Sequence, residues 1–332
     1  MKQVMFTVDA VRTLIKQGRN LLLAADERVL SQLPTGNWIG GTIPYFMTER
    51  GGQFTQEHIY VTELPEYIVR CAIRSYSVQN IANVYADIPE NGVGFILIPA
   101  ASPTLLTFAL NVHNFEHFAL RPLIGWITGV NLSELGKTAP KIFDGATGEP
   151  YEDGALVMHI TLPESKIAEI NILNIFEQGA GDVITFPHDG FCATEALING
   201  EPHNLADYIQ EHNLDTRLPL VADYNGAMIN TSFQQIDSSA KRVDFYAPVF
   251  RGIEYKHAKP VGNYVSNFLS HLHQHEAQSI FFSCNCILNY LYSELEGKQT
   301  GNITGPMTFG EIAYQLLNQN LVYLTISDLT HQ

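Results

Sequence analysis

Cys284 is the residue whose position most suggests covalent chemistry. It lies in SIFFSCNC, where an apolar, strand-forming run leads into a helix-forming segment. A thiol at the N-terminus of a helix can have its pKa lowered to about 3.5–7.5, and the thiolate is then a nucleophile. Catalysis also requires a base within hydrogen-bonding reach, and any of the twelve histidines could supply it. The alternative is a packing role, because free cysteines are among the most frequently buried residues.

Two pairs of histidines have a spacing that can hold a metal ion. His271 and His275 lie four residues apart in a predicted helix, and His113 and His117 repeat that spacing. Neither pair is accompanied by a Cys, Asp or Glu that completes a recognisable ligand set. The polar faces of amphipathic helices explain both pairs, so we expect no metal and no cofactor.

A third set of residues could bind a small molecule without reacting with it. Glycines at the ends of buried strands let the backbone approach a ligand, and crevices beyond the carboxyl ends of strands are favoured pockets in α/β sheets. Glu311 could accept an ammonium group flanked by Trp126. Alternatively, the glycines make tight turns, Trp126 fills the core and Glu311 caps a helix. The candidate binding residues are Gly40, Gly41, Thr42, Trp126, Thr128, Cys284, Thr308 and Glu311.

Familiar catalytic motifs fail on inspection. Gly136-Lys137-Thr138 follows a predicted strand, but a phosphate-binding loop needs a glycine where the chain has Asn131. Gly92-Val93-Gly94 precedes a strand instead of following one, so it is not a dinucleotide-binding fingerprint. No Gly-x-Ser-x-Gly elbow occurs. We therefore expect a protein that is not an enzyme, with a thiol-dependent enzyme using Cys284 as the alternative.

The elements that must position these residues follow one pattern three times. An apolar run leads into a short helix, then a second apolar run near glycine, then a last β-rich run. This recurrence predicts repeated strand–helix–strand units grown by duplication. The three copies are Leu21–Ala25, a helix around Asp26–Leu33, NWIGGT and HIYVTEL; Gly94–Pro99, a helix over Ser102–Leu110, RPLIGWITG and ALVMHITL; and Ser279–Ser283, a helix around Cys286–Leu295, NITGPMTFGE and NLVYLTI.

The middle of the chain has a different character. From about residue 182 to 257, short β runs alternate with turns, which predicts an antiparallel β meander. Asn225-Gly226 supplies the positive φ of a two-residue hairpin. One helix interrupts the meander, with Pro202 in its first position and its end near His212. A further helix is predicted from the i, i+3, i+4, i+7 spacing of Val265, Phe268, Leu269 and Leu272.

This change of pattern divides the chain. A length of 332 residues suggests two domains at roughly 100–200 residues each. We predict an α/β domain over 1–175 and a second domain over 176–332 that holds the meander and the closing strand–helix–strand unit. The predicted fold class is α/β, with mixed α+β character.

Composition limits the functional class. Hydrophobic residues make up 45% and charged residues 16%, which favours large buried cores. A net charge of −15 repels a phosphate backbone, so we expect no nucleic-acid partner. The uncharged span from Gly92 to Leu110 is broken by Ser102-Pro103, a helix cap and first turn, so we expect no membrane insertion. Four cysteines are too few for disulfide bonds to hold a chain of this length together. This favours a reducing compartment, the cytoplasm.

Several segments resemble FIST domains. SIFFSCNCILNYLYSEL followed by GPMTFGEIAY and LLNQNLVYLTI resembles the closing segment of that family, and FCATEALINGEPHNLADYIQEHNL is similar to its strand, turn and helix. PLIGWITGVNL, KIFDG and DGALVMHITL resemble its N-terminal half. The resemblance runs from about Leu21 to Ile326, and it implies N-terminal and C-terminal FIST regions. It also implies a sensory protein of bacterial signal transduction that binds a small polar metabolite such as an amino acid.

The resemblance also bears on partners. FIST modules are often fused to an output domain, and no kinase, methyl-accepting or cyclase signature is visible here, so a separate signalling output protein is expected to receive the signal. An interaction or scaffold protein without a ligand is the alternative. In that case the acidic surface or an exposed meander edge would dock a partner or pair two chains into a homodimer.

Overall fold

The computed structural model describes residues 4–224, 227–263, 266, 267, 270, 280–301 and 303–329. The helices are α1 (Val8–Lys16), α2 (Glu27–Leu30), α3 (Pro103–Asn111), α4 (Leu205–Glu211) and α5 (Ile287–Tyr292), with 3-10 turns at Ile81–Asn83, Val112–Asn114 and Leu132–Glu134. The strands are β1 (Met5–Phe6), β2 (Leu21–Ala25), β3 (Trp38–Thr42), β4 (Tyr45–Thr48), β5 (Gly51–Phe54), β6 (Ile59–Glu63), β7 (Arg70–Tyr76), β8 (Gly92–Pro99), β9 (Leu123–Thr128), β10 (Ile142–Asp144), β11 (Glu149–Tyr151), β12 (Ala155–Thr161), β13 (Lys166–Leu173), β14 (Ile184–Thr185), β15 (Gly190–Ala193), β16 (Glu195–Ile198), β17 (Glu201–Asn204), β18 (Leu220–Tyr224), β19 (Ala227–Thr231), β20 (Phe233–Asp237), β21 (Arg242–Val249), β22 (Tyr255–His257), β23 (Ile280–Cys286), β24 (Gly305–Thr308), β25 (Glu311–Ala313), β26 (Gln315–Leu317) and β27 (Leu321–Asp328).

The fold is mixed α/β, and one pairing pattern occurs in three places. β2 runs parallel to β3 and antiparallel to β6. β8 runs parallel to β9 and antiparallel to β12, and β23 runs parallel to β24 and antiparallel to β27. A helix follows the first strand in each place: α2, α3 and α5, respectively. Below, each such group of strands with its helix is called a unit, numbered one to three in chain order.

The uncharged span of the second unit is a buried strand followed by a helix, as predicted. All eight residues of β8 are buried. Ser102 caps α3 by accepting a hydrogen bond from the Leu105 amide, and Pro103 takes the first helical position, where its missing N–H costs nothing. No helix within the described ranges is both long and apolar enough to cross a membrane.

The sheets join strands from both sides of residue 175. β25 pairs with β9, β24 pairs with β4, and β27 pairs with β13. The largest hydrophobic cluster accordingly holds residues from the first unit, such as Ile39, together with Leu97 of the second and Val322 of the third. The N-terminal and C-terminal parts are therefore intertwined through shared sheets. The proposed division at 175/176 stays a prediction.

Residues 182–257 form two antiparallel sheets around a separate hydrophobic cluster. Their order is not sequential as in a simple meander, because β14 pairs with the distant β22 and β15 with the distant β21. Local hairpins such as β18 with β19 are interleaved with these long-range pairs. The turn predicted at Asn225-Gly226 lies outside the described residues, as do Val265, Phe268, Leu269 and Leu272.

The prediction that Pro202 begins a helix is wrong. Pro202 lies in β17 and pairs with Leu197 of β16. The turn between these strands is made by Asn199 and Gly200, which both have positive φ angles. The hairpin extends as far as Asn204, so the helix begins at Leu205. The Asn204 side chain caps this helix by accepting a hydrogen bond from the Asp207 amide at 3.0 Å.

A glycine permits the close pairing of β8 and β9. Gly125 lies opposite Ile96, and a Cβ on Gly125 would lie 1.8 Å from the Ile96 carbonyl oxygen. Backbone atoms cannot rotate away as a flexible side chain can, so relief would require the two strands to separate. The central sheet of the second unit therefore depends on the absence of a side chain at this position.

We predict that Gly125→Ala lowers the free energy of unfolding by about 3 kcal/mol or more, because it overpacks a strand pair that cannot yield. Urea denaturation followed by circular dichroism measures the change. Gly181→Ala is the matched control, since a Cβ on Gly181 meets nothing within 4 Å, and its stability should stay within about 1 kcal/mol of the wild type. Equal stabilities of the two variants would contradict the strand pairing.

Candidate functional site

A pocket of about 260 Å³ opens where β2, β3 and β9 end, and we call it the strand-end pocket. Its position matches the crevice beyond the carboxyl ends of strands that ligands favour in α/β sheets. β3 and β9 meet beneath it, where the Gly129 amide donates to the Thr42 carbonyl at 2.7 Å. The lining residues are Asp26, Glu27, Arg28, Thr42, Ile43, Pro44, Gly129, Val130, Glu134, Thr138 and Ala139.

Asp26 organises one wall of the strand-end pocket. It follows β2 directly and caps α2, where its Oδ1 accepts hydrogen bonds from the Arg28 amide at 3.0 Å and the Arg28 Nε at 2.9 Å. Its Oδ2 accepts from the Gln56 side chain at 2.8 Å. Burial raises the pKa of this carboxyl, but the hydrogen bonds from Arg28 and Gln56 outweigh burial, so the pKa is lowered overall. Asp26 is thus ionised at neutral pH and holds Arg28 in place.

Arg28 brings positive charge to the pocket. Its side chain is 60% exposed although Nε is bound to Asp26. The hydrogen bond to Asp26 raises the pKa of the guanidinium, and the negative charges of Glu134 and Glu57 raise it further. Glu134 lines the same pocket from the 3-10 turn that follows β9. The pocket therefore presents a guanidinium and a carboxylate to the same small volume.

The other wall is fixed by contacts between distant parts of the chain. Lys141 Nζ donates to both carboxylate oxygens of Glu27, at 2.6 and 2.8 Å. The Thr42 hydroxyl accepts from the Lys141 amide at 2.8 Å and donates to the Lys141 carbonyl at 3.2 Å. The Thr42 hydroxyl is engaged with the Lys141 backbone. Thr42 therefore shapes the pocket wall, and neighbouring charged groups are left to recognise a ligand.

Thr42 is the predicted binding residue that lines the strand-end pocket. Gly40 packs on one face of β3 against Leu30 and Trp38, whose side chains would lie 3.2 Å from an added Cβ. The remaining predicted residues lie in the interior together with Cys286, in a group that we call the buried seam. The buried seam comprises Gly41, Trp126, Thr128, Cys284, Cys286, Thr308 and Glu311.

The buried seam is held by close packing between units. A Cβ on Gly41 would lie 2.7 Å from Thr128 Cγ2 and 2.9 Å from Trp126 Nε1, so β3 can approach β9 only because residue 41 is glycine. Trp126 is directly opposite Glu311 in the β9–β25 pair. The sequence analysis therefore selected residues that do come together, but this structure places them in the interior and not around a cavity.

Glu311 is fully buried in β25, so it does not cap a helix. The Asn320 amide donates to its Oε2 at 3.3 Å, and the Thr308 hydroxyl donates to its Oε1 at 3.4 Å. Burial raises the pKa of this carboxyl well above its ordinary value, although hydrogen bonds from Asn320, Cys286 and Thr308 oppose the shift. Glu311 is fully buried and its pKa is raised, so it is a poor partner for a ligand's ammonium group.

Cys284 lies inside β23 and not at a helix N-terminus, because the strand continues through Cys286 and α5 begins at Ile287. Its Sγ donates to the Gly125 carbonyl at 3.3 Å. Burial raises the pKa of the Cys284 thiol well above its ordinary value. A neutral, inaccessible thiol is a poor nucleophile.

Only one of the two histidine pairs lies within the described residues. His271 and His275 lie outside them. The His113 ring packs 5.0 Å from the Phe118 ring and 5.5 Å from the Phe250 ring, while His117 has a φ of 63° in a turn beyond α3. Over the part of the chain that the structure describes, no three His, Cys, Asp or Glu side chains are grouped to hold a metal ion.

Three residues that line the strand-end pocket were not predicted from the sequence: Asp26, Arg28 and Glu134. A signal for the first two was present, because Asp26-Glu27-Arg28 directly follows the apolar run LLLAA. Charged residues immediately beyond a buried strand mark the sheet edge where α/β proteins bind ligands. No comparable sequence signal marked Glu134, because its position at the pocket depends on the contact between β3 and β9.

The chain belongs to a family described as a family of unknown function, DUF6976, whose model matches residues 6–327. None of the curated proteins matches the chain.

The burial of the cysteines predicts a definite order of thiol reactivity. Cys192 is exposed, Cys71 is partly buried with a pKa raised by burial to about 11, and Cys284 and Cys286 are buried. With Ellman's reagent at pH 8, one thiol per chain should react rapidly, and the two buried thiols should react only after denaturation. Cys192→Ser should abolish the rapid phase. Rapid labelling of Cys284 in that variant would contradict its burial and restore the enzyme hypothesis.

The raised pKa of Glu311 predicts a pH-dependent stability. Its folded pKa lies above the unfolded value, so its contribution is complete below the unfolded pKa of about 4.3 and declines as the pH rises toward the folded pKa. Glu311→Gln should remove up to about 1.4 kcal/mol per pH unit of this decline above pH 5. Urea unfolding between pH 5 and 8 measures the slopes. The exposed Glu164→Gln is the control, and equal slopes in all three proteins would refute a protonated Glu311.

Proposed function

We propose that the protein binds a small zwitterionic metabolite, such as an amino acid, in the strand-end pocket and acts as a sensory protein instead of an enzyme. The observation that carries this proposal is the presence of the exposed Arg28 guanidinium and the Glu134 side chain in the lining of one small pocket. A guanidinium matches a ligand carboxylate with two parallel hydrogen bonds, and a carboxylate matches an ammonium group.

The size of the pocket supports a small ligand. Its volume of about 260 Å³ is below the range of about 300–1,000 Å³ that is typical of sites for drug-sized molecules. Preformed walls lower the cost of binding, because fewer groups must be ordered when the ligand arrives. The hydrogen bonds from Arg28 to Asp26 and from Lys141 to Glu27 supply that rigidity.

We also propose that the three units are repeated strand–helix–strand units that arose by duplication. Their common pairing pattern supports this proposal. The position before each of these helices is occupied by Asp26, Ser102 and Cys286, of which Asp26 and Ser102 accept a capping hydrogen bond through their side chains. Asp26 lines the strand-end pocket, whereas Ser102 is 3% and Cys286 1% exposed. We therefore propose that the strand ends of the first unit stay open to a ligand.

The sensory role extends the resemblance to FIST domains. A separate signalling output protein would read the liganded state, and the cytoplasm is the proposed location because all four cysteines are free thiols. The proposal includes no nucleic-acid partner, in keeping with the net charge of −15.

A scaffold role or a homodimer is the alternative proposal. β19 lies at one end of the six-stranded sheet formed within residues 184–257, and edge strands can pair with a second copy of the chain. Sedimentation analysis distinguishes this alternative: a strict monomer at micromolar concentration would exclude the homodimer.

A thermal-shift screen against amino acids and related metabolites tests the binding proposal. A ligand at a hundred times its dissociation constant should stabilise the protein by about 2.7 kcal/mol. Arg28→Met should abolish this shift, because it removes the group that pairs with the ligand carboxylate, and Glu134→Gln should reduce it. Arg70→Met, at an exposed arginine of β7 outside the pocket, is the matched control and should respond like the wild type.

Two results would overturn the proposal. One is the absence of a shift across the panel while the protein melts cooperatively. The other is a shift of equal size in wild type and Arg28→Met, which would place the ligand elsewhere. In either case, the melting temperature of each variant without ligand shows whether the substitution has altered the fold.

A further inference from the structure

A second concave region lies between the first and third units, where β6 faces β23 and the end of β27. It encloses about 560 Å³, and we call it the aromatic groove because of its rings. Tyr60 is almost completely buried at one side, where its hydroxyl hydrogen-bonds the Thr304 hydroxyl at 3.0 Å. Tyr67 is 39% exposed at the rim. The residues that define the groove for this argument are Glu49, Tyr60, Tyr67, Phe281, Phe282 and Thr304.

Glu49 is the unusual feature of this groove. Its Oε2 is fully buried and has no hydrogen-bond partner among the described residues. Its main-chain carbonyl accepts from the Gln299 side chain at 2.9 Å, which fixes the backbone that carries it. A buried carboxylate oxygen without a donor is costly, and such atoms in native proteins call for an explanation.

Within its described lining, the groove supplies no charge that compensates Glu49. No Lys or Arg is among the described residues that line the groove, so Glu49 is its one formal charge there. The Tyr60 phenol stays neutral, because burial chiefly raises its pKa to about 12 and the nearby Glu49 charge adds to the rise. The groove therefore combines one negative charge with several aromatic rings.

This combination selects a cation. Aromatic faces attract ammonium groups through their quadrupole, and a carboxylate adds both charge and a hydrogen-bond acceptor. The ring of Tyr67 already binds one such group, the Lys166 ammonium, at 4.8 Å from its centroid. Lys166 is itself paired with Asp328 at 2.6 Å, so its charge is balanced outside the groove.

We propose that the aromatic groove is a second binding site, separate from the strand-end pocket, that takes a primary organic amine. The ligand's ammonium group donates a hydrogen bond to the Glu49 carboxylate, and its carbon chain packs against Tyr60 and Phe281. An amine without a carboxylate is favoured over an amino acid, because the described lining offers no cation to pair with a ligand carboxylate. The two sites thus differ in ligand class.

Isothermal titration of the full chain with n-butylamine tests this site, at constant ionic strength set with sodium chloride. Binding should be saturable. Glu49→Gln should weaken it by about tenfold to a hundredfold, since a charged hydrogen bond is lost. Glu57→Gln, at an exposed glutamate outside the groove, is the matched control. Pentanoate should not bind in the groove, and Arg28→Met should leave the butylamine affinity unchanged.

One further ligand and one further variant make the test decisive. Tetramethylammonium carries the same charge but donates no hydrogen bond, so it should bind more weakly than butylamine. Phe281→Ala should weaken butylamine binding by about two- to fivefold, because it removes the ring that packs against the carbon chain, and its partly buried position provides a second test if Glu49→Gln fails to fold. The proposal is overturned by non-saturable binding, by equal affinity in wild type and Glu49→Gln, or by tetramethylammonium binding as tightly as butylamine.

Discussion

The fold depends on burying one carboxyl group among its strands. Glu311 lies in β25 and links four other strands. It is opposite Trp126 of β9, accepts from Thr308 at the end of β24, and accepts from the Asn320 amide just before β27. Hydrogen bonding to Cys286 connects it to β23. An ionised carboxylate here would carry a large desolvation penalty. Burial therefore raises the pKa of Glu311 and favours its protonated form at the junction between the second and third units.

Close packing around this junction also determines where open space can exist. Gly41 admits Thr128 and Trp126, and Gly125 admits the backbone of Ile96. These contacts fill the space between the paired strands, so the strand-end pocket lies beyond the ends of β3 and β9. The hydrogen bond from the Gly129 amide to the Thr42 carbonyl joins the two strands there, and Asp26 and Glu134 are among the residues that line the pocket. The close approach of β3 to β9 therefore fills the interior and leaves the strand-end pocket beyond the ends of these strands.

Local features of the fold were predictable from the sequence, and features that depend on distant pairing were not. Strand β8 and the Ser102 cap of α3 follow from an apolar run and a short capping pattern. The misplaced helix at Pro202 arose because proline suits both a first helical turn and the hairpin strand that it occupies. The predicted site residues do gather together, but whether they face a cavity depends on contacts such as Thr42 with Lys141, 99 residues apart. No single-sequence periodicity encodes such contacts.

The two concave regions are connected by packed side chains, which bears on any sensory role. Phe282 lines the aromatic groove and stacks on Trp126, with ring centroids 5.8 Å apart and planes inclined by 20°. Trp126 abuts Gly41, and the next residue, Thr42, lines the strand-end pocket. A dense interior has little spare volume in which to absorb a displacement. Coupling between two sites also requires an element with two arrangements that both ligands bias, and any such coupling is equal in both directions. The contacts of Trp126 with Phe282 on one side and Gly41 on the other form a continuous path of packed atoms between the two regions.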